Sequence, residues 1–149
     1  MSSSQKIRDS VQPLSSPFLQ SMIYFDQIYT VLYFFLEGCI FFYKGFGLYY
    51  PSSTIEQDVV LLVAFGICEI IRLQMGSVGN KTESTSHIMW FVAVNVPAIA
   101  GYFYFLLLQT YSLMIELILA IIGLIFIFFE LIWAFSALKN FQNFQKHQY

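Results

Sequence analysis

Along this chain the apolar residues come in long, nearly unbroken runs, and the polar residues gather in short breaks between them. Runs at residues 22–43, 57–75, 88–109 and 115–138 each approach the ~20 mostly apolar residues that a helix needs to cross the hydrocarbon core of a bilayer. The pattern predicts an all-α, integral membrane four-transmembrane-helix bundle over residues 18–138. Residues 1–17, with Ser2, Ser3, Ser4, Ser15, Ser16 and two prolines, read as a flexible N-terminal tail, and residues 139–149 as a C-terminal tail.

The breaks and the polar residues inside the runs carry the finer expectations. Gly76, Gly79 and Asn80 suit the left-handed backbone that closes a helix, so the second helix is expected to turn there and residues 76–87 to form a polar loop. Pro97 predicts a kink in the third helix, with the carbonyl it frees taken by a donor such as the Asn95 amide. Asp26 and Glu116 fall near the starts of the first and fourth helices, where the positive end of the helix dipole favours an acid. The short gap between the third and fourth runs predicts a tight antiparallel hairpin.

Composition sharpens this picture. The chain of 149 residues is 58% hydrophobic and 19% aromatic but only 11% charged, whereas a soluble domain carries about a quarter charged residues. The runs leave little chain for an extramembrane module, and the first run is expected to act as its own uncleaved insertion signal. Cys39 and Cys68 fall inside runs and read as small apolar residues. His87 and His147 lie outside them, so neither a nucleophile with its base nor a metal-ligand set is evident. A non-enzymatic protein is expected, with no cofactor or metal and with the lipid bilayer as a partner. Nucleic acid and small-molecule substrates are not.

Basic residues set the expected orientation. Four spans put both termini and the loop after the second span on one side, which holds Lys6, Arg8, Arg72, Lys81, Lys139 and Lys146, against Lys44 alone on the other. Cytoplasmic segments carry the excess, so both termini are expected in the cytoplasm, where the acceptor pattern Asn80-Lys81-Thr82 is not glycosylated.

Ionisable residues within spans are costly and so informative. Glu69 and Arg72 are three apart, on one face of a helix. With Glu130 of the fourth helix they are expected to form a structural charge clamp, Arg72 extending its stem toward the headgroups. Glu37, roughly 10 Å inside Lys44 along the first helix, is expected to be a buried acid needing a proton or a partner. The alternative is a small transporter or channel subunit in which Glu37, Glu69 and Glu130 line an ion or proton path.

Several local runs resemble a known family. Leu36-Glu37, Ile40-Phe41-Phe42-Tyr43-Lys44-Gly45, Tyr50-Pro51, Asp58-Val59-Val60, Glu69-Ile70-Ile71-Arg72-Leu73 with Gly76-Ser77-Val78-Gly79-Asn80, and Leu106-Leu107-Leu108-Gln109-Thr110-Tyr111 with Glu116 are similar to the ciliary transition-zone tetraspan family of transmembrane proteins 17, 80 and 216. The resemblance covers roughly residues 23–137. It implies a membrane component of the transition zone at the ciliary base. Such a component assembles with meckelin-like and tectonic-like membrane proteins, supports ciliogenesis and controls which membrane proteins pass into the cilium.

Overall fold

The computed structural model describes residues 14–47, 52–109 and 111–148. Four long helices carry the described chain: α1 (Pro17–Gly47), α2 (Ser52–Lys81), α3 (Thr85–Phe103) and α4 (Met114–Gln148). Between α3 and α4 the chain makes one wide π-helical turn over Tyr104–Leu108, closed by Gln109 N donating to the Tyr104 carbonyl at 3.1 Å. All four helices are long and apolar enough to cross a membrane. Each packs on the next in sequence and α4 returns to α1, so the bundle is a closed up-down ring.

The helices are inverted relative to those of a soluble bundle. Large apolar side chains such as Val31, Phe35, Val60, Val96 and Phe128 face outward, where lipid solvates them as well as a protein core would. The inward stripe of α1 is Leu19, Ile23, Asp26, Thr30, Tyr33, Glu37, Phe41 and Lys44, one residue per helical turn and largely polar in its middle.

The expected loop at residues 76–87 is mostly helix. α2 runs through Gly76, Gly79 and Asn80 to Lys81, and no described glycine has positive φ. The two glycines let α3 approach rather than turning the chain. A Cβ at position 76 would stand 2.8 Å from the Phe91 ring, and one at position 79 would stand 2.9 Å from the Ile88 backbone nitrogen. Close packing of this kind offsets the ~1 kcal/mol that glycine loses to alanine in a helix. The turn itself falls on Glu83, at φ 51.

That turn also holds the start of α1. Asn80 accepts from Ser16 N and donates to the Ser16 carbonyl, both at 2.9 Å, while Glu83 accepts from Leu14 N at 2.6 Å and Ser15 N at 3.1 Å. Residues 14–16 of the expected N-terminal tail are thus anchored, and residues 1–13 lie outside the described residues. At the other end the expected tail from residue 139 continues α4 to Gln148. Phe141 is buried against a cluster containing Leu19, Ile23 and Phe91, and this apolar anchor keeps the last turns on the bundle.

Candidate functional site

The bundle interior contains two ion-paired centres, one toward each end. Arg72 forms the first. Its guanidinium offers five donors in a planar fork. Nε donates to Glu69 Oε2 at 2.9 Å, and Nη2 donates to the same oxygen at 2.6 Å and to Asp26 Oδ2. Nη1 donates to Glu130 Oε2 and, at 3.4 Å, to Asn95 Oδ1. All four helices therefore take part: Asp26 from α1, Glu69 and Arg72 from α2, Asn95 from α3 and Glu130 from α4. The Phe91 ring lies 6.0 Å from the guanidinium carbon, within cation–π range.

All five side chains are buried. Arg72 turns into the bundle rather than outward, because three carboxylates there bind it. Asp26 does not fall in the first turn of α1, which begins at Pro17, and binds Arg72 at this centre. Asn95 does not serve the carbonyl freed by Pro97. Its amide nitrogen donates to the Phe91 carbonyl at 2.8 Å, leaving its oxygen for Arg72. Pro97 lies on the exposed side of α3, and the helix continues past it to Phe103.

The second centre pairs Lys44, from the last turn of α1, with Glu116, from the first turn of α4, at 2.5 Å. Glu116 also caps its own helix, taking Leu113 N at 2.6 Å, and receives the Gln109 amide at 3.4 Å. Lys44 leans over the Phe41 ring, 5.1 Å from its centroid, as a helical side chain pointing back toward the N-terminus does. Glu37 completes the group. It is fully buried on the inward stripe between Tyr33 and Lys44, with Glu116 of α4 as a neighbour.

An aromatic layer separates the two centres. Tyr33 of α1 lies between Asp26 and Glu37 on the inward stripe and meets Phe65 of α2 and Tyr102 of α3 edge-on, with ring centroids 6.0 and 5.5 Å away. Phe65 and Tyr102 meet at 4.8 Å. Among the described residues no group of three or more His, Cys, Asp and Glu side chains has metal-binding geometry. The three carboxylates at Arg72 converge on the guanidinium instead. Cys39 is exposed and Cys68 half-buried, both free.

Glu69, Arg72 and Glu130, singled out from the sequence, are brought together, and Glu37 is kept apart from them. Asp26, Asn95, Lys44 and Glu116 were missed as members of these centres. The signal that could have found Asp26 and Lys44 is the spacing Asp26, Thr30, Tyr33, Glu37, Lys44, which lays a polar stripe along one helical face.

These features define a four-span helical membrane protein with an ion-paired interior and an apolar exterior. Residues 21–127 match the Transmemb_17 family, described as predicted membrane protein, and the chain belongs to that family. Among its relatives, transmembrane protein 216 of Homo sapiens is 38% identical over 130 residues, covering 87% of this chain and 90% of the relative. The Mus musculus protein of the same name is 37% identical, with 87% and 92% covered. That of Danio rerio is 36% identical, with 87% and 81% covered. No solved structure matches the chain significantly.

Proposed function

We propose that the chain is a non-enzymatic membrane component of the ciliary transition zone. It would assemble there with other membrane proteins, meckelin-like and tectonic-like among them, to support ciliogenesis and control which membrane proteins pass into the cilium. The ciliary part of this reading is supported by the family resemblance. The assembly part is supported by one observation: Arg72 binds acceptors from all four helices, which makes its centre a packing device rather than an open site. The aromatic layer of Tyr33, Phe65 and Tyr102 also speaks against a polar path joining Glu37 to Glu69 and Glu130.

Both termini are assigned to the cytoplasm. Lys44 and Arg72 are both ion-paired inside the bundle, which leaves Lys6, Arg8, Lys81, Lys139 and Lys146 on one side and no Lys or Arg on the other. An N-glycosylation acceptor inserted ahead of residue 14 tests this, since modification there would reverse the topology.

The functional test is to image a C-terminally tagged copy in ciliated cells beside a basal-body marker and to recover its membrane partners. A focus just above the basal body is expected. A functional tagged copy confined to another membrane would overturn the ciliary assignment.

A further inference from the structure

We propose that the groove between the start of α1 and the end of α4 is a binding site for one anionic phospholipid, with its headgroup against Asn140 and Asn143 and the top of an acyl chain along Trp133. The groove has a volume of about 580 Å3. Ser16 and Pro17 stand on one wall, and Trp133, Ala137, Asn140 and Asn143, on one face of α4, form the other. Trp133 is held flat against Phe18, with ring centroids 5.0 Å apart and planes 13° from parallel. Residues 14–16, which complete the first wall, are fixed by Asn80 and Glu83, so the groove belongs to the folded bundle.

Its position along the bundle selects a lipid. α4 has 35 residues, roughly 52 Å at 1.5 Å per residue, against a hydrocarbon core of about 30 Å. The helix begins apolar, at Met114 and Ile115, and carries Lys139, Asn140, Gln142, Asn143 and Lys146 at its end, so the surplus length stands among headgroups at that end. Trp133 falls near the hydrocarbon boundary, where indole rings settle. Asn140 and Asn143 lie roughly 10 and 15 Å further out at 1.5 Å per residue.

Charge selects an anionic one. Lys139 and Lys146 lie four residues before and three after Asn143 on its face of the helix. Both are exposed, as is Lys81 at the end of α2. Among the described residues no acid lines the groove, and Glu83 of the neighbouring turn accepts from Leu14 N and Ser15 N. At the opposite end of the bundle Lys44 is buried and Glu56 exposed. The lysines supply charge for a phosphate, and the Asn140 and Asn143 amides supply directional N–H donors. The choice of leaflet rests on the assignment of both termini to the cytoplasm, where anionic lipid attracts clustered lysines.

The test uses the full chain in phosphatidylcholine nanodiscs containing a fixed share of lipid with brominated acyl chains, which quench tryptophan on contact. The chain has two tryptophans, Trp90 and Trp133. In Trp90→Phe, where Trp133 reports, brominated phosphatidylserine is expected to quench several-fold more than brominated phosphatidylcholine. Adding Asn140→Leu with Asn143→Leu, or Lys139→Gln with Lys146→Gln, should abolish the preference. In Trp133→Phe the remaining Trp90, exposed on α3, should show none. Equal quenching by the two lipids at Trp133, a preference just as large at Trp90, or one that survives either pair of substitutions in a folded protein would overturn the proposal. Should the asparagine variant fail to fold, the lysine variant, altered only at exposed side chains, decides. Nanodiscs offer lipid in both leaflets, so these outcomes do not depend on the topology, which the inserted glycosylation acceptor decides separately.

Discussion

Lys44 and Glu116 stand 72 positions apart in the chain and meet at 2.5 Å with neither side chain exposed. The contact joins the end of α1 to the start of α4, the two helices that close the ring. Removing one member strands a buried charge, which costs about 3–5 kcal/mol, whereas replacing both with apolar residues of similar volume is often close to neutral. Lys44→Met is therefore expected to lower the melting temperature of the detergent-solubilised protein sharply. Lys44→Met combined with Glu116→Gln, which removes the charge but keeps an acceptor for Leu113 N, should recover most of the loss, and a double variant no better than the single one would show that the pair is incidental.

Arg72 is expected to be intolerant even of lysine. A lysine keeps the charge but presents three donors at a point, and it cannot span Asp26, Glu130 and Asn95 as the planar fork does. Arg72→Lys should reduce stability by several-fold more in the folded-to-unfolded ratio than Asp26→Asn, because three acids share one base and neutralising one relieves their repulsion. Unfolding in graded sodium dodecyl sulfate would rank the two, and the opposite order would remove Arg72 from its central role.

Glycine positions divide by what their missing side chain would meet. At Gly123 a Cβ would stand 2.4 Å from the Tyr102 ring, whereas at Gly38 nothing lies within 4 Å. Gly123→Ala is expected to overpack the helix interface at a cost of about 1–3 kcal/mol, and Gly38→Ala to be near neutral. Should Gly38→Ala instead leave stability intact but abolish partner recovery, the face around Gly38 would be a helix-docking surface.

The turn between α2 and α3 secures the start of α1 through Asn80 and Glu83. Asn80→Ala removes three partly buried hydrogen bonds, two to the Ser16 backbone and a longer one to Gln20 Oε1, and is expected to cost about 1–3 kcal/mol. The visible effect should be faster amide exchange at Ser16 and Leu19. Unchanged exchange there would show that the anchoring is carried by Glu83 and the packing of Leu19 alone. Because the Asn80 amide nitrogen is engaged and the residue almost fully buried, absence of glycan on Asn80 does not report topology, and the inserted acceptor is the sounder test.

By itself the sequence determined the class of architecture. Twenty-residue apolar runs cannot stay in water, and a backbone in lipid must satisfy its hydrogen bonds within each segment, so four runs become four helices regardless of what surrounds them. It also marked Glu69, Arg72 and Glu130, because ionisable residues stand out against such runs. The tertiary structure decided which charges meet. Arg72 with Asp26 and Asn95, and Lys44 with Glu116, are contacts between helices, and hydropathy along a single helix carries no information about register against a neighbour. The same holds for Gly76 and Gly79. Their local chemistry suits a turn, but Phe91 and Ile88 from α3 fill the space they leave, so packing outweighs the intrinsic preference and the helix runs on to Lys81.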